Sequence, residues 1–307
     1  MSLGEMTWNW QLWIDMWAAG IAGGAYLVAF LANKYSGGKY SNLFRLSVLT
    51  GVPLAIIGVF FLIIDLGTPI WAWHLFVNFR PVAVMSMGTW ILFAWLIIAF
   101  AMMILWLVEW DSRRNPDRYS SGMVGFTKKL AGLLAWGGFI FAILLMTYPG
   151  VLIASTTQAI WASTWLLPSL FVASAISTGV AILIVMSMIL NRVNESRGGW
   201  TFSEDVIGKL SSALTGVIVV EAAVLAGYAI WLALAGDAGN EAFKMLVSGD
   251  LAITFWILVV GVGMVIPLAL LFLTRGRKAL MLVAASSACV LLGGLALRAV
   301  ITIGGQL

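Results

Sequence analysis

Eight runs of apolar residues, each longer than twenty, fix what this 307-residue chain can become. They lie at Leu12–Asn33, Leu43–Ile64, Ser86–Val108, Leu130–Ile153, Leu166–Leu190, Gly208–Ala233, Leu251–Leu273 and Ala279–Thr302. About 20 apolar residues cross about 30 Å of hydrocarbon as a helix. Within lipid, backbone N–H and C=O groups must find partners inside the protein, which leaves helices and closed barrels. Barrel spans would be shorter and would alternate in polarity, whereas these runs are continuous. The expected fold is an all-α integral membrane protein, a polytopic bundle of about eight transmembrane helices. Little sequence remains between the runs, so the expectation is a single transmembrane domain over 1–307. A division into two four-helix halves, about 1–153 and 166–307, stays open. Only 10% of the residues are charged, against about 25% in a soluble domain. Met1 to Trp13 has no basic n-region and no small-residue cleavage site, so no cleavable signal peptide is expected.

Charge orients the bundle. The loops after the first, third, fifth and seventh runs carry the clusters Lys34–Arg45, Arg113–Lys129, Arg192–Lys209 and Arg275–Lys278. Of 17 basic residues only Arg80, Lys244 and Arg298 fall elsewhere. Basic loops stay in the cytoplasm. Both termini are therefore expected outside a bacterial or archaeal cytoplasmic membrane. Glu109–Lys129 reads as the longest inner loop, and Asp237, Glu241 and Asp250 fall in an outer one. Asp65–Met85, rich in Trp and Phe, reads as a long outer loop that lies re-entrant or along the interface, or roofs a cavity.

Ionisable groups inside a span are expensive and point to function. Asp15 stands early in the first span, Asp65 at the outer end of the second and Glu221 near the middle of the sixth. Arg298 stands near the outer end of the eighth, where it would snorkel or join a ring of polar groups. Tyr148 and Pro149 fall where the outer half of the fourth span would be interrupted. With His74 and Arg80, the outer third acquires Asp15, Asp65, Tyr148 and Arg298 in an aromatic setting. Such a ring suits a quinone head, whose reduction moves two electrons and two protons and whose carbonyls need hydrogen-bond donors. Bis-histidine haem is disfavoured because His74 is the single histidine, and no metal-ligand cluster appears. Cys289, the single cysteine, rules out an internal disulfide and cysteine ligation of an iron–sulfur cluster. Nothing points to nucleic acid. A secondary transporter and a purely structural anchor remain alternatives, and whether the chain is itself catalytic stays open.

Four motifs in order carry a resemblance over nearly the whole chain. They are Trp10-Gln11-Leu12-Trp13 followed by Gly20-Ile21-Ala22-Gly23-Gly24; Asp65-Leu66-Gly67-Thr68-Pro69 with His74, Asn78-Phe79-Arg80-Pro81 and Ser86-Met87-Gly88-Thr89-Trp90; Tyr148-Pro149-Gly150-Val151-Leu152 with Trp161; and Gly293-Gly294-Leu295-Ala296-Leu297-Arg298. The chain resembles the NrfD/PsrC family, the membrane subunits of polysulfide-reductase-like respiratory complexes. The resemblance implies menaquinone or ubiquinone bound near the periplasmic face, with no haem or metal in the chain. It implies a periplasmic iron–sulfur partner with four clusters, and a molybdopterin or multihaem catalytic subunit beyond it. In the polysulfide reductase branch, a first-span histidine ligand corresponds to Asp15, an asparagine to Leu12 and a tyrosine to Tyr148. Asp15, Tyr148 and His74 are the expected quinone contacts, with Asp65, Arg80 and Trp161 around them. Asp65 and Glu221 are the expected proton carriers.

Overall fold

The computed structural model describes residues 8–65, 84–115, 120–155, 164–194, 200–274 and 279–306. The sequence expectations for His74, Arg80 and Trp161 lie outside the described residues. Among the described residues, eight helices are long and apolar enough to cross a membrane. They are α1 (Trp10–Tyr35), α2 (Ser41–Asp65), α3 (Val84–Arg114), α4 (Ser121–Ala154), α5 (Leu166–Asn194), α6 (Glu204–Leu234), α8 (Ala252–Leu273) and α9 (Leu280–Gly304). A shorter helix, α7 (Gly236–Val247), follows α6. No strand occurs among the described residues.

Two helices form the centre. Helix α1 packs on α2, α4, α5 and α9, and α5 packs on α1, α4, α6 and α9. Their sequences explain this: Ala18 to Ala25 is a run of small residues broken only by Ile21, and every one of them is buried. Without a hydrophobic drive between helices in lipid, association depends on close backbone approach, which small residues allow. A methyl group at Gly24 would overlap the Ala175 carbonyl, and one at Gly179 would overlap the backbone at Gly24 and Ala25. The α1–α5 crossing is therefore a backbone contact. Helices α8 and α9 repeat the device, with Gly293 against Gly263. Within α8, Phe255–Val265 is wound as a π-helix that ends just before Pro267. Large apolar side chains such as Leu133, Ile257, Phe272 and Leu292 face outward, as a bilayer requires.

The two ends of the bundle differ. At the basic end, Glu109 binds both Arg45 (2.9 Å) and Arg113 (2.8 Å). At the other end the first and last described residues meet: Trp8 N donates to Gln306 Oε1 (2.9 Å), and Gln306 Nε2 donates back to Trp8 O (3.1 Å).

Three expectations need correction. Glu109–Lys129 is not a long loop, because α3 continues to Arg114 and α4 starts at Ser121, leaving a short connection. The Glu109–Arg113 pair one turn apart supports that helical extension. Helix α4 is not interrupted at Pro149 and runs on to Ala154. Proline there removes the donor that Leu145 O would otherwise receive, without ending the helix. The acidic outer loop contains α7, entered through Gly236 at φ 86°, which an ordinary side chain rarely adopts. Helix α7 buries Gly239, Ala242 and Leu246 while Asp237, Asn240, Glu241 and Lys244 stay exposed or half-exposed.

Topology is open to a direct check. The basic clusters predict that reporters fused after Leu307 act outside and reporters inserted in 116–119 act in the cytoplasm. Cytoplasmic labelling of the C-terminus would reverse the orientation.

Candidate functional site

Asp15 lies five residues into α1, roughly 8 Å below its start. Helix α2 runs antiparallel beside it, with the Trp10 and Phe61 rings 5.5 Å apart. This register sets Asp15 against Gly58, where a methyl group would come within 2.8 Å of Asp15 Oδ1. Glycine at 58 is therefore what lets a carboxyl sit between the two helices. Asp15 is 1% exposed, and its Oδ1 has no hydrogen-bond partner. Gln11 Oε1, one turn away on the same face of α1, is also buried without a partner, while Trp13 Nε1, buried and unpaired as well, lies on the opposite face. A buried polar atom left unpaired costs about 1–3 kcal/mol, so Asp15 and Gln11 together mark a place on that face where a ligand would find polar partners.

Tyr148 reaches the same end from α4, six residues before its last residue. Its ring rests on Gly88 of α3, where any side chain would overlap it. Helices α2 and α4 both pack on α1, and Asp65 ends the one while Tyr148 stands near the end of the other, so three of the expected site residues, Asp15, Asp65 and Tyr148, come to the same end of the bundle. Asp65, the last residue of α2, is only partly buried. Alongside α4, two apolar clefts of about 470 and 260 Å³ share Trp165 and Pro168. The first runs from Thr147 along α5 to Val220 and Val224 of α6, and the second lies under Val151, Ala154 and Thr164.

Arg298 departs from the expected ring. It is 1% exposed and does not snorkel. Its Nη1 donates to Gly294 O (2.7 Å) and to Ser174 Oγ (3.2 Å), which draws the guanidinium back into the bundle. Gly20 of α1 leaves it room, since a methyl there would stand 2.7 Å from Nη2. Its charge partner is Glu221. The Glu221 carboxyl accepts from Ser177 Oγ at 2.6 Å. Arg298 and Glu221 are thus each held by a serine on one face of α5, Ser174 and Ser177. The result is a second polar site, enclosed by α1, α5, α6 and α9. The charged residues stand out in the sequence, but Ser174 and Ser177 do not, although their spacing of three places them on one face of α5. Nor does Gly58; Gly20 and Gly88 stand in the motifs of the resemblance, but what each makes room for shows only in the packing.

The profile of the family described as polysulphide reductase, NrfD, matches residues 2–307. The chain is 26% identical to protein NrfD of Escherichia coli, over 99% of its own length and 96% of that protein. It is 29% identical to the C chain of polysulfide reductase from Wolinella succinogenes, over 98% and 95% of the two proteins. With the C subunit of selenate reductase from Mesobacillus selenatarsenatis it shares 21% identity, over 96% of this chain and 73% of the other.

Proposed function

The chain belongs to the polysulphide reductase NrfD family, and from that premise we propose that it is the quinone-reactive membrane subunit of a respiratory oxidoreductase. Membership carries the coarser role, a membrane subunit of an NrfD/PsrC-type oxidoreductase complex. The finer reading rests on one observation above all: a carboxyl oxygen of Asp15 and the amide oxygen of Gln11, buried and unpartnered on one face at the end of α1. Menaquinone or ubiquinone, when bound, supplies a two-electron, two-proton couple.

The chain's own residues hold the head and handle its protons. Asp15 accepts a hydrogen bond from a hydroxyl or, when protonated, donates one to a carbonyl oxygen. Tyr148 donates from the facing helix, and its position is fixed by the absence of a side chain at Gly88. His74 and Arg80, with Trp161, complete the site in this reading. The apolar clefts beside Thr147 and Trp165 suit an isoprenoid tail and open it to lipid. Asp65, half-buried at the end of α2, passes protons between Asp15 and the surface. Glu221, deeper and lined by serines, is the candidate for carrying protons farther into the membrane.

Electrons leave or enter through a partner, since the chain has neither haem nor cluster ligands in this reading. The partner is a periplasmic iron–sulfur subunit seated over the end where Trp8 meets Gln306, with a molybdopterin or multihaem catalytic subunit beyond. The exposed face of α7, with Asp237 and Glu241, contributes to that seat. Extraction of the purified complex should yield a stoichiometric quinone. A complex without quinone, whose partner subunits still react with soluble dyes but never with added quinol, would make the chain a structural anchor instead.

A further inference from the structure

A groove of about 260 Å³ lies at the basic end, on the opposite side of the membrane from Asp15. Leu49 of α2 and Met103 and Leu107 of α3 form its apolar floor, and Trp106, Trp110 and Trp200 its walls. Leu107 and Trp110 are largely exposed, so the groove opens on the surface that meets lipid. Its charged member is Arg45, whose guanidinium sits 5.7 Å from the Trp106 ring centre and 5.9 Å from that of Trp200.

The wall at Trp200 is held in place from below. Asn191 Nδ2 donates to Phe202 O (2.8 Å) while Phe202 N donates to Asn191 Oδ1 (2.7 Å). Asn194 Nδ2 donates to Trp200 O (2.9 Å). Two asparagines on the last turn of α5 therefore set the chain so that one indole covers Arg45. At the rim Arg113 shares Glu109 with Arg45. Arg114 stacks on Trp110 at 4.0 Å, and no carboxylate among the described residues pairs with it. Neither Arg114 nor Asp111 lines the groove itself: Arg114 reaches its rim by stacking on Trp110, while Asp111, the other acid on this turn, accepts from Asn115.

We propose that this groove binds one anionic phospholipid of the leaflet at the basic end. An acyl chain lies along Leu49, Met103 and Leu107, and the phosphate sits between Arg45 and Arg114. The combination of an apolar trough, headgroup-level tryptophans and a cation excess at the rim matches a lipid with a negatively charged head. A lipid of no net charge would use the trough but leave the excess cation at the rim unbalanced. This site is independent of quinone binding and stands whether or not that reading does.

Native mass spectrometry of the full chain, released with its co-purifying subunits from vesicles of equal phosphatidylglycerol and phosphatidylcholine with matched acyl tails, tests this. One phosphatidylglycerol should remain bound under activation that strips phosphatidylcholine. Each arginine near a membrane surface contributes about 1 kcal/mol toward an anionic lipid, so Arg114→Gln should reduce retention roughly fivefold. Arg45→Gln should do at least as much. Trp200→Ala should shorten retention of any lipid. Lys128→Gln with Lys129→Gln, on the same face but outside the groove, should change nothing. Equal retention of both lipids would overturn the proposal, as would an equal loss in the lysine control, which would mean a diffuse field and no site. If Arg45→Gln fails to assemble because Glu109 loses a partner, Arg114→Gln alone decides, since Arg114 makes no ion pair with Glu109.

Discussion

Replacing Arg298 with leucine should strip most of the folded protein from the membrane. The side chain is buried among four helices, donates to Ser174 and Gly294, and lies in the same enclosed cluster as the Glu221 carboxyl, which Ser177 holds on the same face of α5. Removing one member of a buried pair leaves the other charge without compensation, at a cost of about 3–5 kcal/mol. That is comparable with the marginal stability of many folded proteins. The measurement is the yield of assembled chain and the melting temperature in mild detergent. Adding Glu221→Gln to the same protein should recover most of the loss, because glutamine keeps an acceptor for Ser177 and brings no charge. Unchanged melting of Arg298→Leu would mean that the pair does not hold the bundle together. Glu221→Gln alone also separates structure from proton transfer. A variant that assembles fully and keeps both turnover and proton release would remove Glu221 from the mechanism.

In the proposed quinone-reactive complex with an iron–sulfur partner, Tyr148→Phe should leave the fold and the partner subunits intact and slow the quinone reaction. The ring still fills the space over Gly88, and only the hydroxyl is lost. Leaving one buried group without its partner costs about 1–3 kcal/mol, which corresponds to roughly tenfold to a hundredfold weaker binding. Asp15→Asn should act similarly, since the amide keeps the size against Gly58 and loses the exchangeable proton. Quinol oxidation or quinone reduction is followed beside electron transfer between soluble dyes and the iron–sulfur partner. The first should fall and the second persist. Wild-type quinone kinetics in both variants would place the pocket elsewhere.

The number and position of the spans were legible because hydrophobicity over twenty residues is a property of each segment by itself. The ends were less so. Glu109, Asp111 and Arg113 look like a loop by polarity, yet ion pairs at helical spacing let α3 continue past the apolar run. In α7, Ala242 and Leu246 fall on one face and Asp237 and Glu241 on another, a pattern visible in the sequence but outweighed by its acidic content. The candidate site divided along the same line. Asp15 and Tyr148 stood out as polar residues in apolar runs. Their supports did not, since Gly58 and Gly88 gain meaning only from a neighbouring helix. Arg298 showed this most clearly: its depth in α9 suggested the surface, while Ser174 on α5 and Glu221 on α6 turn it inward. No local pattern encodes a partner 124 residues away.

The reciprocal pair between Trp8 and Gln306 gives the chain a cyclic character. With first and last helices joined at one end, the eight spans form a closed circuit. A linker from 306 back to 8 would bridge atoms already in contact. An opening cut at 115–120, where α3 and α4 meet in a few residues, would start the order at α4 and finish it at α3. Both new ends would then lie on the basic face, and the end carrying Asp15 and Tyr148 would have no free terminus. In a bundle whose crossings are glycine contacts between helices, the order of synthesis and the order of packing are separable.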